Sequence, residues 1–418
     1  MLPDEFATSQ RLGKDEVSML ASKYGTPLFV FFEEELRRRV RMVREAFKWF
    51  SKGVSVAYSV KANFNPSILK VFISEGCHFD ITSLGELYFY LRSGGDGGKV
   101  IYTSVSEERE ELLEALRKGV RRFVVSSSNG LKNLRLAIEE SGARPEVLLR
   151  VNPEVDVKAS VKASHKFGAL LEMEGEESAG RMIGLMRDWG LDFSGFHFHL
   201  GSQITDPSCF TEALRKLASF SRDAGLDGFR VMDVGGGLPV FYGEKVPSLE
   251  DFSGAIREGF EPMVDEFGVE ELVVESGRYL SAYAGSLITK VVNLKRERGK
   301  KLVFLDAGYH VLLDAVLLDQ AYPQYSFTEG GEEEIELFGK LCDSSDYFPI
   351  SPASRLKGLE IGDYVVFENV GAYSLVFSLP FHCYPKPPVV MKTGDGGYRL
   401  IREGEGLEEL FEEEGGSL

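Results

Sequence analysis

The residues of this chain with the most chemical potential fall at a few recurring places. Lys61 lies in the run YSVKAN, on the same alternating face as Ser55, Ala57 and Ser59. A lysine among small residues can act as a Schiff-base nucleophile when its surroundings favour the free amine; alone, it reads as a strand-end lysine reaching for water. His197 and His199 stand in HFHLGSQ, two of only six histidines in the chain. A ring-stacking or proton-transfer role suits them better than a metal role, because no acidic or cysteine ligand lies at a telling spacing. Asp233 opens DVGGG, and the amides of Gly235, Gly236 and Gly237 could cradle a phosphate. Without a GxGxxG fingerprint a dinucleotide is not indicated. Glu275 begins ESGR, where a carboxylate could bond a protonated ring nitrogen. Asp80 and Arg150 complete the set. An internal lysine, a phosphate cradle, a stacking imidazole and a carboxylate together describe a pyridoxal 5'-phosphate site, and the conjunction is far more specific than any member.

These residues need a scaffold that gathers them. Eight short β-rich runs, Val54–Val60, Cys77–Ile81, Val100–Thr103, Arg122–Ser126, Glu146–Val151, Phe193–His199, Phe229–Val234 and Glu271–Glu275, alternate with helical patterns. The helical stretches are Pro66–Glu75, a segment opened by a Ser83/Glu86 capping box, Glu107–Lys118, Gly130–Ser141, Gly175–Trp189, Phe210–Ala224 and Asp251–Phe267. That alternation is the arithmetic of an α/β fold, a (β/α)8 TIM barrel. Each reactive residue then lies at the C-terminal end of a strand, where such barrels keep their active sites. After about Ala284 the pattern turns to short β-like runs, so a mostly β C-terminal domain is expected. The boundaries read as 35–284 for the barrel and 1–34 plus 285–418 for the β domain, with Pro27–Phe31 able to supply the latter with a strand.

Composition narrows the class. The chain has 418 residues, 43% of them hydrophobic, with 48 basic against 65 acidic side chains and a net charge of −17. Acidity disfavours nonspecific binding to nucleic acid or anionic membranes. No apolar run approaches the ~20 residues needed to span a bilayer, and the N-terminus has no signal-peptide pattern. The four cysteines are scattered without a CxxC pair, so neither a metal motif nor a disulfide framework is indicated. A cytoplasmic enzyme is the expectation, and the acidic run Glu403–Glu414 reads as a solvated end.

The motifs carry a family resemblance. YSVKAN, FDITSLGEL (Phe79–Leu87), RVNP (Arg150–Pro153), HKFG (His165–Gly168), HFHLGSQ, DVGGG, ESGR, DAG (Asp306–Gly308), CDSSD (Cys342–Asp346) and GAY (Gly371–Tyr373) resemble the pyridoxal-phosphate-dependent decarboxylases of the alanine-racemase-like fold (group IV decarboxylases), and most of all their diaminopimelate-decarboxylase branch. The resemblance implies an amino-acid decarboxylase, and argues against a racemase, which lacks the Cys342–Asp346 motif. It implies that Lys61 holds the cofactor, His199 stacks on its ring and Glu275 bonds its nitrogen. Ser202, Gly235–Gly237 and Tyr373 would hold the phosphate, and Gly277 and Arg278 would border phosphate or substrate carboxylate. It further implies a homodimer with shared sites, in which Cys342 donates a proton and Asp343 meets the substrate. One departure matters. After DAG, diaminopimelate enzymes usually carry a motif like MNDLIRPALY, whose Arg and Tyr grip the distal end of the substrate. Here Asp314 and Leu318 stand at those places. Asp314 would repel a distal carboxylate, so the substrate is expected to be a basic amino acid such as ornithine or lysine, or an amino-acid conjugate, rather than ordinary diaminopimelate.

Overall fold

A computed structural model describes residues 10–163, 166–330 and 333–416. Its contacts divide the chain into two compact units: one of Arg39–Pro239 with Val246–Gly277, the other of the chain up to Arg38, Val240–Lys245 and the chain from Arg278 onward.

The first unit is a closed barrel of eight parallel strands: β1 (Val54–Ser59), β2 (His78–Ile81), β3 (Val100–Tyr102), β4 (Arg122–Val125), β5 (Glu146–Asn152), β6 (Asp192–His197), β7 (Val231–Asp233) and β8 (Glu271–Ser276). Each pairs with the next, and β8 pairs with β1 to close the ring. The strands are nearly continuous runs of buried residues, as expected where helices cover the outside and side chains fill the inside. Ala57, Ile101, Val124, Leu148, Val231 and Val273 make one apolar interior cluster.

The end at which the strands begin is sealed by ions. Arg122 lies 2.8 Å from both Glu146 and Glu271, and Ser55 Oγ donates to Glu271 at 2.6 Å. This plug leaves the opposite end for chemistry.

Helices follow the first seven strands. Pro66–Ser74 has proline in its first turn and Asn65 as its cap. In Leu84–Arg92, Ser83 accepts the Glu86 N–H, but the Glu86 carboxylate accepts the N–H of Thr82, so the expected box closes one residue early. The helix Glu33–Ala46 is absent from the sequence reading above, although buried Leu36, Val40, Val43 and Phe47 recur at helical spacing. The charged residues that mask that stripe are not all on the outside, since Glu35 and Arg39 are fully buried.

Strand β6 differs from the expected Phe193–His199. Val147 faces Phe193 while Leu148 faces Gly195, so Ser194 is an extra residue, a bulge. Gly195 is required there: at φ +152° a Cβ would lie 1.8 Å from the Val231 carbonyl oxygen. The strand ends at His197, and His199 belongs to the turn beyond it.

The second unit is mostly sheet. Its longest strand, Gly285–Glu297, pairs antiparallel with Leu28–Phe32, Lys300–Leu305 and Tyr364–Glu368. Leu28–Phe32 also runs parallel to Val389–Lys392, and all five of its residues are buried. Leu12, Leu20, Val30, Ile288, Val366 and Val390 pack together in its core. Among the described residues no helix is long and apolar enough to cross a membrane.

Candidate active site

Lys61 sits in the single 3-10 turn Val60–Ala62 that follows β1. Its Nζ lies 2.8 Å from Oδ2 of Asp80 on the neighbouring strand β2. The lysine side chain is 41% exposed and the aspartate 1%, so the amine reaches out of the barrel while its counter-ion stays inside. Burial alone would raise the Asp80 carboxyl. The Lys61 ammonium and the hydroxyls of Thr103 and Ser59 outweigh it and hold Asp80 well below the usual carboxylate range. Thr103, which donates to Asp80, was not singled out from sequence; its place just after β3 was the available signal. Gly277 follows β8 and lets that turn approach β1: a Cβ there would lie 2.8 Å from Ala62 Cβ.

The two histidines have separate surroundings. His197 is buried at the end of β6, with Nε2 3.3 Å from Glu275 Oε1 on β8, though not aligned as a hydrogen bond. Asp233, opposite His197 on β7, completes a buried trio in which one polar atom from each residue lies within 4.8 Å of the others. No acidic partner for His197 was visible at short sequence spacing, whereas the barrel supplies two. Burial, then the neighbouring Glu275 carboxylate, pushes the Asp233 carboxyl well up, against the lowering effect of the Gly235 N–H. His199 instead accepts the Gly236 N–H at Nδ1, 3.1 Å away, so a neutral ring carries its proton on Nε2. Burial and the nearby cations Lys61 and Arg150 push its imidazole down to about 3, which keeps it neutral.

The glycine loop is tightly folded. Gly235 has φ +65°, and a Cβ on it would lie 2.2 Å from the Phe198 carbonyl oxygen. Its N–H goes to Asp233 Oδ1 at 2.8 Å. Two of the three amides expected to cradle a phosphate are therefore given to Asp233 and His199, because the loop folds back over those side chains. Ser202, also expected at the phosphate, lies on a two-stranded flap made by Gly201–Ile204 and Ala159–Lys162, opposite Val161. Arg150, two residues before the end of β5, holds its guanidinium 4.4 Å from the Phe167 ring centre. A cavity of about 90 Å³ opens between Arg150, Asn152, Asp156, Lys162, Phe167 and His199. His165 of the HKFG motif lies outside the described residues.

The sheet unit holds a second buried polar group. Arg278 Nη1 lies 3.3 Å from Asp314 Oδ2, and both side chains are almost wholly buried. The guanidinium lies over the Tyr373 ring, 4.6 Å from its centre, and Tyr373 has φ +60°. Burial raises the Asp314 carboxyl, and Arg278 offsets this only in part. Asp314 was expected to meet substrate directly. The structure instead gives its carboxylate to Arg278 and leaves it no open face. The Tyr242 and Tyr322 hydroxyls and Arg278 Nε are buried without a hydrogen-bond partner. Neither tyrosine was singled out from sequence. Cys342 is exposed, and its N–H reaches His382 Nδ1 at 3.4 Å. Asp343 accepts from the Ser345 N–H at 2.7 Å and the Tyr309 hydroxyl at 3.1 Å, which lower its carboxyl.

This arrangement fits a pyridine aldehyde. A lysine amine stands at the mouth, and buried, unpartnered acid and imidazole atoms wait inside. The family profile described as "Pyridoxal-dependent decarboxylase, pyridoxal binding domain" matches residues 33–282. The chain belongs to this decarboxylase family. It is therefore a pyridoxal-phosphate-dependent enzyme that decarboxylates. Diaminopimelate decarboxylase of Methanocaldococcus jannaschii is 32% identical over 406 residues, covering 94% of this chain and 92% of that protein. The Vibrio cholerae enzyme of the same name is 31% identical, covering 94% and 93%. The crystal structure of the M. jannaschii enzyme with L-lysine superposes with a TM-score of 0.86 at 29% identity, over 95% of this chain and 94% of that one. A lysine/ornithine decarboxylase of Vibrio vulnificus complexed with putrescine shares the fold, with a TM-score of 0.79 at 24% identity over 91% and 99%.

Proposed function

We propose that this decarboxylase acts on the α-carboxyl of an amino acid whose far end bears no carboxylate, lysine and ornithine being the simplest candidates. The observation that carries the reading is Asp314. It stands where diaminopimelate enzymes usually bear an arginine, and it is buried against Arg278 at 3.3 Å, so it both lacks the grip for a distal carboxylate and neutralises the nearest cation. A conjugate with an uncharged far end fits the same rule.

Lys61 supplies the amine that captures the cofactor aldehyde, and Asp80 at 2.8 Å holds it in place and takes up its charge. His199, neutral and held by the Gly236 N–H, presents a flat ring for stacking. Glu275 is the acid that faces the ring nitrogen. Ser202, Gly237 and Tyr373 are the groups for the phosphate. Bound pyridoxal phosphate supplies an electron sink for the pair left at Cα when CO2 departs. Exposed Cys342 is the proton donor to that carbon, and with Asp343 it serves the partner subunit's site in a homodimer. Four free thiols suit a reducing, cytoplasmic setting.

The test is a CO2-release screen over lysine, ornithine, arginine, meso-diaminopimelate, glutamate and carboxylated polyamine precursors. Lysine, ornithine or a conjugate should turn over fastest. Turnover of meso-diaminopimelate at an equal or higher rate would remove the specificity reading and leave the reaction class standing.

A further inference from the structure

Cys342 and Asp343, the two residues proposed above to serve the partner subunit's site, sit on a hairpin. Ile335–Phe338 and Tyr347–Phe348 pair antiparallel, and the connecting residues 339–346 carry both. Buried Asp346 fixes the base of this loop. Its carboxylate accepts the Tyr309 N–H at 2.8 Å and the Leu341 N–H at 2.7 Å, and its own carbonyl accepts the Gly339 N–H at 3.1 Å. That anchor stops short of Cys342, which is exposed.

Two side chains from outside the loop hold its tip. The Tyr309 hydroxyl donates to Asp343 Oδ2 at 3.1 Å, and the Cys342 N–H donates to His382 Nδ1 at 3.4 Å. The second bond is long, and by itself would leave His382 free to swing. Phe381 removes that freedom. Its ring stacks on His382, with centres 4.2 Å apart and planes 25° apart, and on Tyr309, at 6.0 Å and 24°. Lys340 of the loop grips the same segment, its ammonium 3.8 Å from the Tyr384 ring centre. The backbone points the same way. His382 and Cys383 have φ +58° and +56°, a left-handed conformation that costs non-glycine residues energy and persists where the surroundings enforce it.

We propose that His382 is a positioning residue: carried on the Phe381–Tyr384 segment, it accepts the Cys342 N–H and sets the direction of the Cys342 thiol, while Tyr309 does the same for the Asp343 carboxylate. Its effect on turnover rests on Cys342 being the proton donor and Asp343 the substrate contact. A group that works on a reacting atom has to be held within about 0.5 Å of its place, and Asp346 fixes only the base of the loop.

The full-length chain labelled with 15N-cysteine tests the contact without added cofactor. Its four cysteines give four amide signals, and the one missing from Cys342→Ala belongs to Cys342. His382→Phe keeps a ring on the stack and removes the acceptor. His382→Asn keeps an acceptor at nearly the same place, in a residue that tolerates positive φ. At pH 8 the Cys342 amide should exchange with water several-fold faster in His382→Phe and close to the wild-type rate in His382→Asn. Equal exchange in His382→Phe and wild type, or asparagine behaving as phenylalanine does, would overturn the proposal. Turnover tests the consequence. His382→Phe should lower kcat several-fold with little change in KM, and asparagine should recover it, whereas Tyr309→Phe should mainly raise KM. A general loss of packing would move both constants in all three variants, and that result would also overturn the positioning role. If Cys342→Ala turns over as fast as wild type, the proton-donor reading fails, while the exchange rates still decide whether His382 holds the loop.

Discussion

Replacing Asp314 by asparagine separates structure from specificity at the position on which the substrate reading rests. The wild-type carboxylate lies 3.3 Å from the Arg278 guanidinium, with side chains only 3% and 8% exposed. Two unit charges at that distance attract by about 5 kcal/mol at an effective permittivity of about 20. Asparagine keeps one hydrogen bond, worth about 1 kcal/mol. The remaining loss, about 3–4 kcal/mol, matches the usual cost of stranding one member of a buried ion pair. Two units need not unfold together, so the readout is the denaturation midpoint of the transition that reports the sheet unit. That midpoint should fall clearly, and the double variant Asp314→Leu with Arg278→Met should recover much of it, because no charge is left unpaired. Substrate choice is read on the same protein. With its neutralising partner gone, Arg278 becomes available to an anion, so meso-diaminopimelate should gain relative to lysine. An unchanged midpoint would refute the electrostatic reasoning. A lowered midpoint with an unchanged substrate profile would leave Asp314 a purely structural residue.

Two further outcomes follow from the barrel. Gly235→Ala should lower the melting temperature and abolish cofactor binding, because φ +65° disfavours alanine by about 1–2 kcal/mol and its Cβ would collide with the Phe198 carbonyl 2.2 Å away; Gly254→Ala, on an open helical face with nothing within 4 Å, is the control and should be neutral or slightly stabilising, and equal melting and binding for the Gly235 variant would count against the tight loop. His78 is driven down to about 4 by burial first, then Lys99 and Arg122, against the raising effect of Glu271. The unfolded chain binds that proton at a higher pH than the folded one, so stability is present above about 6.5 and falls as pH drops from there toward 4, at up to about 1.4 kcal/mol per pH unit. His78→Asn should flatten this limb of a stability-versus-pH curve, and a curve identical to wild type would show that His78 does not contribute.

Much of the fold was legible because local patterns repeat eight times. The short β-branched runs and intervening amphipathic stretches each report their own element, and their number favours a closed parallel barrel over an open doubly wound sheet. Edges were less legible. The Ser194 bulge in β6 had no sequence signal, since it follows from the crowding of Gly195 against Val231. Glu33–Ala46 was hidden because charged residues, among them the fully buried Glu35 and Arg39, crowd its apolar stripe.

The sequence by itself determined the inventory of chemistry: a lysine after β1, acids in β2 and β8, histidines at the end of β6 and glycines after β7, since residue type and position along a strand are local facts. By the family resemblance it also put Asp314 where diaminopimelate enzymes usually carry an arginine. Which groups meet was decided only by tertiary structure. His197 finds Asp233 and Glu275 because three strands far apart in sequence end side by side. The Gly235 and Gly236 amides are turned to Asp233 and His199, and Asp314 is spent on Arg278, 36 positions away. Apart from the local Gly235–Asp233 contact, these are pairings across large sequence separations, set by how strands and turns pack, and no local pattern encodes them.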